Sequence, residues 1–151
     1  MLQPISYLCA NKRLVAAVLL AGAVAVASCG GDDPPQTVDF EPNLASIQEA
    51  VFTPTCATAS CHSTAQMEAG LDLSAGKSYD SLMDIECTTR DADLEGLVRV
   101  KPGDPSKSFL LEKLRGVPAS KGRRMPYDGP YLSNAEIDVI EQWIADGAPR
   151  E

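Results

Sequence analysis

The sequence predicts a small all-α domain, on three observations. Apolar residues recur at helical spacing in three segments that carry helix-start signals, the connections between them are rich in glycine and proline, and no segment sustains the alternation of a strand. At 151 residues the chain has room for one domain, since chains divide into units of roughly 100–200 residues.

Asn43 is placed to cap a short first helix with Leu44, Ile47 and Val51 on one face. Asp104-Pro105 supplies a cap and a first-turn proline for a middle helix carrying Phe109, Leu110 and Leu114 and ending near Gly116. Ser133 and Glu136 form a capping box for the last helix, with Leu132 and Ile137 placed to close a hydrophobic staple across it. Ile137, Ile140, Trp143 and Ile144 then share a face, and Gly147 with Pro149 supplies the stop. Glu68 to Lys77 and Pro118 to Pro130 read as turn-rich connections. So few apolar faces make a thin core for residues 43–148, and small domains often complete one with a metal or cofactor.

Ahead of that domain, Lys12 and Arg13 precede an uncharged run from Leu14 to Ala27, the shape of a secretory signal over residues 1–28. The run is shorter than the ~20 apolar residues that crossing a bilayer requires. It ends in Val26-Ala27-Ser28-Cys29-Gly30, which resembles the lipobox of bacterial lipoproteins, where the cysteine is lipidated and becomes the mature N-terminus. The resemblance implies an exported protein on the periplasmic side of the envelope, lipid-anchored to the membrane through Cys29. Each buried methylene of the acyl chains contributes about 0.8 kcal/mol to that anchor. An ordinary cleaved signal with a coincidental cysteine is the alternative. Residues 29–42 combine Gly-Gly, Asp-Asp and Pro-Pro and read as a flexible tether. Losing Lys12 and Arg13 takes the formal net charge of −8 two units further negative. So acidic a domain disfavours nucleic acid; its charge steers a basic partner or serves solubility alone.

The chemistry concentrates in Cys56-Ala57-Thr58-Ala59-Ser60-Cys61-His62, where two thiols meet the single histidine of the chain. In covalent haem attachment each thiol adds to a vinyl group and the following histidine reaches the iron from the same side; the usual motif is C-x-x-C-H. Here four residues separate the cysteines, so the backbone must bulge to bring both sulfurs to a rigid porphyrin. A disulfide, common in exported domains, or a Cys3His zinc site that recruits Cys87 are other readings of the same residues.

Further segments accompany this motif. Val51-Phe52-Thr53-Pro54 leads into it, Gly70-Leu71-Asp72-Leu73 follows, and Lys101-Pro102-Gly103-Asp104-Pro105 precedes the middle helix. Arg124-Met125-Pro126 comes next, and Trp143-Ile144-Ala145-Asp146-Gly147-Ala148 closes the series. In this order, from Leu44 to Ala148, the chain resembles the small single-haem cytochrome c domains of bacterial exported proteins, especially a group with the longer cysteine spacing. The resemblance implies a small cytochrome c-like helical fold with long turn-rich loops around one haem. First and last helices would cross beside it, and a late loop would carry a distal methionine. It further implies one covalent haem c on Cys56 and Cys61, with His62 and Met125 as the axial ligands of its iron.

Met125 stands in such a loop, between Gly122 and Gly129 and before a proline that restricts the backbone. Met67 and Met83 compete for the role and are expected to pack in the core instead. Methionine opposite histidine is an electron-transfer arrangement that raises the reduction potential. The implied function is electron transfer to and from redox partner proteins, with no catalytic group. One alternative is a small haem enzyme or a subunit of a larger oxidoreductase; another is a non-haem exported lipoprotein with a Cys/His metal site or a disulfide. Cys87 has no place in the family pattern and reads as a buried thiol or a cross-chain pair. Arg123 and Arg124 read as a solvated loop face or as partners of haem propionates. Tyr127 and Tyr131 read as crevice lining, and Trp143 as crevice lining or core.

Overall fold

Asn43 starts the first helix in a computed structural model that describes residues 37–87, 94, 96–116 and 121–151. The expected signal segment 1–28, the expected lipidation site Cys29 and the expected tether as far as residue 36 lie outside the described residues. Asn43 is extended, and its side-chain oxygen accepts from the Ser46 N–H at 2.9 Å, as a cap requires. Helix α1, Leu44–Ile47, buries Leu44 and Ile47 and runs directly into a π-helical segment, Gln48–Cys56. Pro54 lies inside that segment and has no N–H to give to an α ladder. Wider turns carry the helix onward, ending with the Ala57 N–H donating to Phe52 O at 2.7 Å. Val51 and Phe52 are buried, so the anticipated apolar face extends by one large residue.

A 3₁₀ turn, Glu68–Gly70, and a short helix α2, Ser78–Leu82, follow. The latter carries no helical apolar repeat; Leu82 and Ser78 are buried, with the Ser78 hydroxyl donating to Gln48 Oε1 across the fold. Met83 with Val100, Glu86 with Val98 and Val98 with Ser108 form isolated bridges, and no strand forms among the described residues.

The middle helix differs from its expectation in one respect. Asp104 does cap, accepting from the Ser106 N–H at 3.1 Å, but what it caps is a 3₁₀ turn, Pro105–Lys107. The helix proper, α3, runs Phe109–Arg115 and stops at Gly116. Ser108 between them is extended and buried, because Val98 bridges there and the Ser108 hydroxyl is held between Asp104 O and the Lys101 N–H. Restarting at Phe109 rotates the face, so Leu111 and Leu114 enter the core and Leu110 is only half-buried.

Helix α4, Asn134–Ala145, follows its sequence signals closely. The Glu136 N–H donates to Ser133 Oγ at 3.2 Å, and the Ser133 N–H to Glu136 Oε2 at 2.7 Å. Ile137, Ile140, Trp143 and Ile144 have no exposed surface, and Leu132 joins Ile137 in the same cluster. Past Gly147, the Trp143 indole N–H donates to Pro149 O at 3.0 Å, so the stop segment folds back on the helix it ends. Trp143 is therefore core. One apolar cluster joins α1, the π-helical segment, Leu73, Leu82, Val100, α3 and α4, and Phe40 from the tether packs against it. No helix among the described residues is long and apolar enough to cross a membrane.

Candidate functional site

The π-helical segment delivers Cys56 at its last position, and the chain then turns back on itself. The Cys61 N–H donates to Thr58 O at 3.0 Å and the His62 N–H to Cys56 O at 3.1 Å. The four intervening residues thus form a tight turn that brings the His62 backbone back to Cys56. Cys56, Cys61 and Cys87 are all free thiols. Burial, and then the neighbouring Cys61, push the Cys56 thiol up to about 12, so it carries its proton at neutral pH.

Beyond His62 the chain bends through backbone conformations that side chains rarely adopt: Met67 at φ 48°, Ala69 at φ 55° and Gly70 at φ 67°. This bend faces the histidine. The Glu68 N–H donates to Cys61 O at 3.1 Å, while Glu68 O lies 3.1 Å from His62 Nδ1. A carbonyl can only accept, so the ring proton is on Nδ1 and the lone pair is on Nε2. A second backbone acceptor, the Leu71 carbonyl, also lies against the ring. Burial pulls the proton affinity of His62 below its usual range, and the Arg99 guanidinium acts the same way; the carbonyls of Glu68 and Leu71 and the Glu68 carboxylate oppose them. The ring is held neutral, as ligation requires.

Asp72 locks the far end of the same loop. Its carboxylate accepts from the Thr64 hydroxyl at 2.8 Å and the Ser74 N–H at 2.9 Å, and the Leu73 N–H returns to His62 O at 2.7 Å. Beside His62, Ser63 Oγ is the one buried side-chain polar atom among the described residues without a partner.

Met125 sits in the loop between α3 and α4, half-buried, with its N–H donating to Lys113 O at 2.8 Å. Arg124 straps this loop down and is not a solvated residue. Its Nε donates to Leu114 O at 2.7 Å, its Nη2 to Leu132 O at 3.4 Å, and its guanidinium stacks on the Tyr131 ring at 4.2 Å. Arg123 stacks on Tyr127 at 4.5 Å and is exposed. A groove of about 430 Å³, within the range of small-molecule sites, is lined by two groups of residues distant in sequence. Pro54, Thr55 and Thr58 come from the cysteine segment; Pro126, Gly129 to Leu132 and the α4 residue Glu136 follow Met125. Tyr131 lines this groove, whereas Cys56, Cys61, His62 and Met125 themselves do not.

The competing assignments fare differently. Met67 is 43 % exposed, contrary to its expected place in the core, because the left-handed bend turns it outward; Met83 packs against the core as expected. No three His, Cys, Asp or Glu side chains gather as a metal site among the described residues. Cys87 is half-buried, its N–H donating to Leu97 O at 3.2 Å, with Arg99 and Glu112 as its charged neighbours.

A covalently attached haem would draw on two free thiols, an imidazole whose Nδ1 donates to a carbonyl, and a thioether on a second loop. The sequence reading missed the Glu68 carbonyl, and it read Arg124 as a solvated loop face or a propionate partner where the structure makes it a strap. For Glu68 the only signal is the spacing of a glycine-ended turn after the histidine. Comparison with protein-family models, curated proteins and solved structures finds no match to this chain.

Proposed function

We propose that this chain is an exported, lipid-anchored electron-transfer protein that holds one haem c through Cys56 and Cys61, with His62 and Met125 as axial ligands. The observation that carries this reading is the Nδ1–H donation from His62 to Glu68 O, with the free cysteines Cys56 and Cys61 on the turn that leads into it. A ligating histidine characteristically gives its other ring proton to a carbonyl or carboxylate, which fixes the tautomer and raises the basicity of the ligating nitrogen. When bound, haem c supplies a one-electron iron couple. The protein contributes the rest. The turn from Cys56 to Cys61 would offer both sulfurs, the Glu68 carbonyl aims the ring, and the strapped loop after α3 would offer Met125. Methionine opposite histidine favours the ferrous state and raises the potential. Cys29 holds the domain at a bilayer surface.

The test is the visible spectrum of the full chain exported from a host with haem-attachment machinery, recorded oxidised and then reduced, with a denaturing gel stained for haem. A sharp reduced band, stain that survives denaturation, and a fall in midpoint potential in Met125→Ala are the expected results. A colourless protein from that host sinks the proposal.

A further inference from the structure

Arg99 spans the fold to reach the bend that faces His62. Its Nη2 donates to Ala69 O at 2.8 Å, and its Nη1 donates to Gly70 O at 3.1 Å and to Ser81 O at 2.8 Å. Its own backbone is fixed on both sides: the Arg99 N–H donates to Ile85 O at 2.8 Å and Arg99 O accepts from the Leu110 N–H at 3.0 Å. A planar, half-buried guanidinium anchored in this way is a rigid fork, and it grips the two peptide carbonyls that follow Glu68.

The bend it grips has little to hold it in shape by itself. Met67 and Ala69 are non-glycine residues at positive φ, a conformation that costs energy and persists only where the surroundings impose it. Apart from the two Glu68 bonds to Cys61 and His62, the hydrogen bonds of residues 67–70 within the loop run to near sequence neighbours. Arg99 ties it to the body of the protein.

We infer that Arg99 is a positioning residue for the iron ligand: by clamping Ala69 and Gly70 it holds the Glu68 carbonyl on His62 Nδ1 and so sets the orientation and donor strength of Nε2. That role presumes His62 as an iron ligand; the way its ring is held does not. Without the clamp, Nδ1–H turns to solvent and the imidazole becomes a weaker donor. Ferric iron, which gains most from a strong donor, loses stabilisation, and the midpoint potential rises.

The full exported chain, as wild type, Arg99→Ala and Arg99→Lys, tests this with two readouts. Nitrogen-15 NMR of the imidazole, on the ferrous diamagnetic form or on haem-free protein, gives the tautomer and the solvent exchange of the Nδ1 proton. Redox titration gives the midpoint. In Arg99→Ala the expectation is at least tenfold faster Nδ1 exchange and a positive shift of about 59 mV, the one-electron equivalent of tenfold. Arg99→Lys keeps the charge without the fork and should recover thermal stability more fully than exchange protection. Unchanged exchange and potential in a folded Arg99→Ala protein overturn the inference, whatever happens to its melting temperature. Where Arg99→Ala does not fold, the same two readouts on Arg99→Lys decide it. A wild type that takes up no haem fails the electron-transfer reading instead, and Nδ1 exchange still judges the clamp.

Discussion

Asp72 illustrates how a single residue secures the histidine loop. The Ser74 N–H above all, with the Thr64 hydroxyl and Lys77, holds its carboxyl below the usual carboxylate range against the opposing effect of burial. The folded pKa lies below the unfolded value of about 3.9, so the stabilisation is complete above that pH and disappears as pH falls through the folded value. Far-UV circular dichroism during acid titration should therefore place part of the unfolding transition on Asp72. Asp72→Asn should lose stability at neutral pH and unfold with a weaker dependence on pH; an unaltered acid limb would show that the carboxylate does not contribute. His62, Cys56 and Cys61 stand out in the sequence as candidates because the proposed chemistry is carried by residue type and spacing. Glu68 is not, because it acts through a carbonyl that every residue possesses.

Among the elements, α4 is the one whose signals agree most fully. Capping box, staple, apolar face and stop act on the same twelve-residue helix, and its buried side chains share one apolar cluster with those of α3 and the π-helical segment. Removing the cap oxygen leaves helix N–H groups unpaired, so Ser133→Ala should lower unfolding free energy by about 1 kcal/mol in denaturant titration, with an unchanged slope. Trp143→Ala should cost more, about 3–5 kcal/mol, because it leaves a cavity at the centre of the core. A Ser133→Ala protein as stable as wild type would mean that the Glu136 side chain caps the helix without it. The middle helix marks where local signals fail. Asp104-Pro105 is a valid start, and its cap forms, yet the pairing of Ser108 with Val98 interrupts the helix one turn later. A contact made by another part of the chain overrides local propensity there. The π-helical segment could be anticipated only as helix, since Pro54 announces a disturbed ladder without naming its form.

Across the whole molecule, two segments far apart in sequence line one groove, the cysteine turn on one part and the methionine loop on the other. The lipid anchor proposed at Cys29 concerns the same scale, because it fixes where the entire domain works. Cys29→Ser should move the protein from the membrane fraction to the soluble fraction after cell lysis and abolish incorporation of a labelled fatty acid. Retention on the membrane without label would refute lipidation and point to a protein-borne anchor.

Caps, apolar periodicity and the cysteine–histidine spacing act within a few residues, so the sequence by itself determined the all-α class, α4, the start of α1 and the residues on which the proposed chemistry rests. Tertiary structure alone decided the rest. It chose which carbonyl receives the His62 proton, turned Met67 outward, made Arg124 a strap and brought Arg99 to a loop thirty residues away. The physical reason is the same in each case: a backbone carbonyl has no sequence signature, and which donor reaches it depends on how distant segments pack.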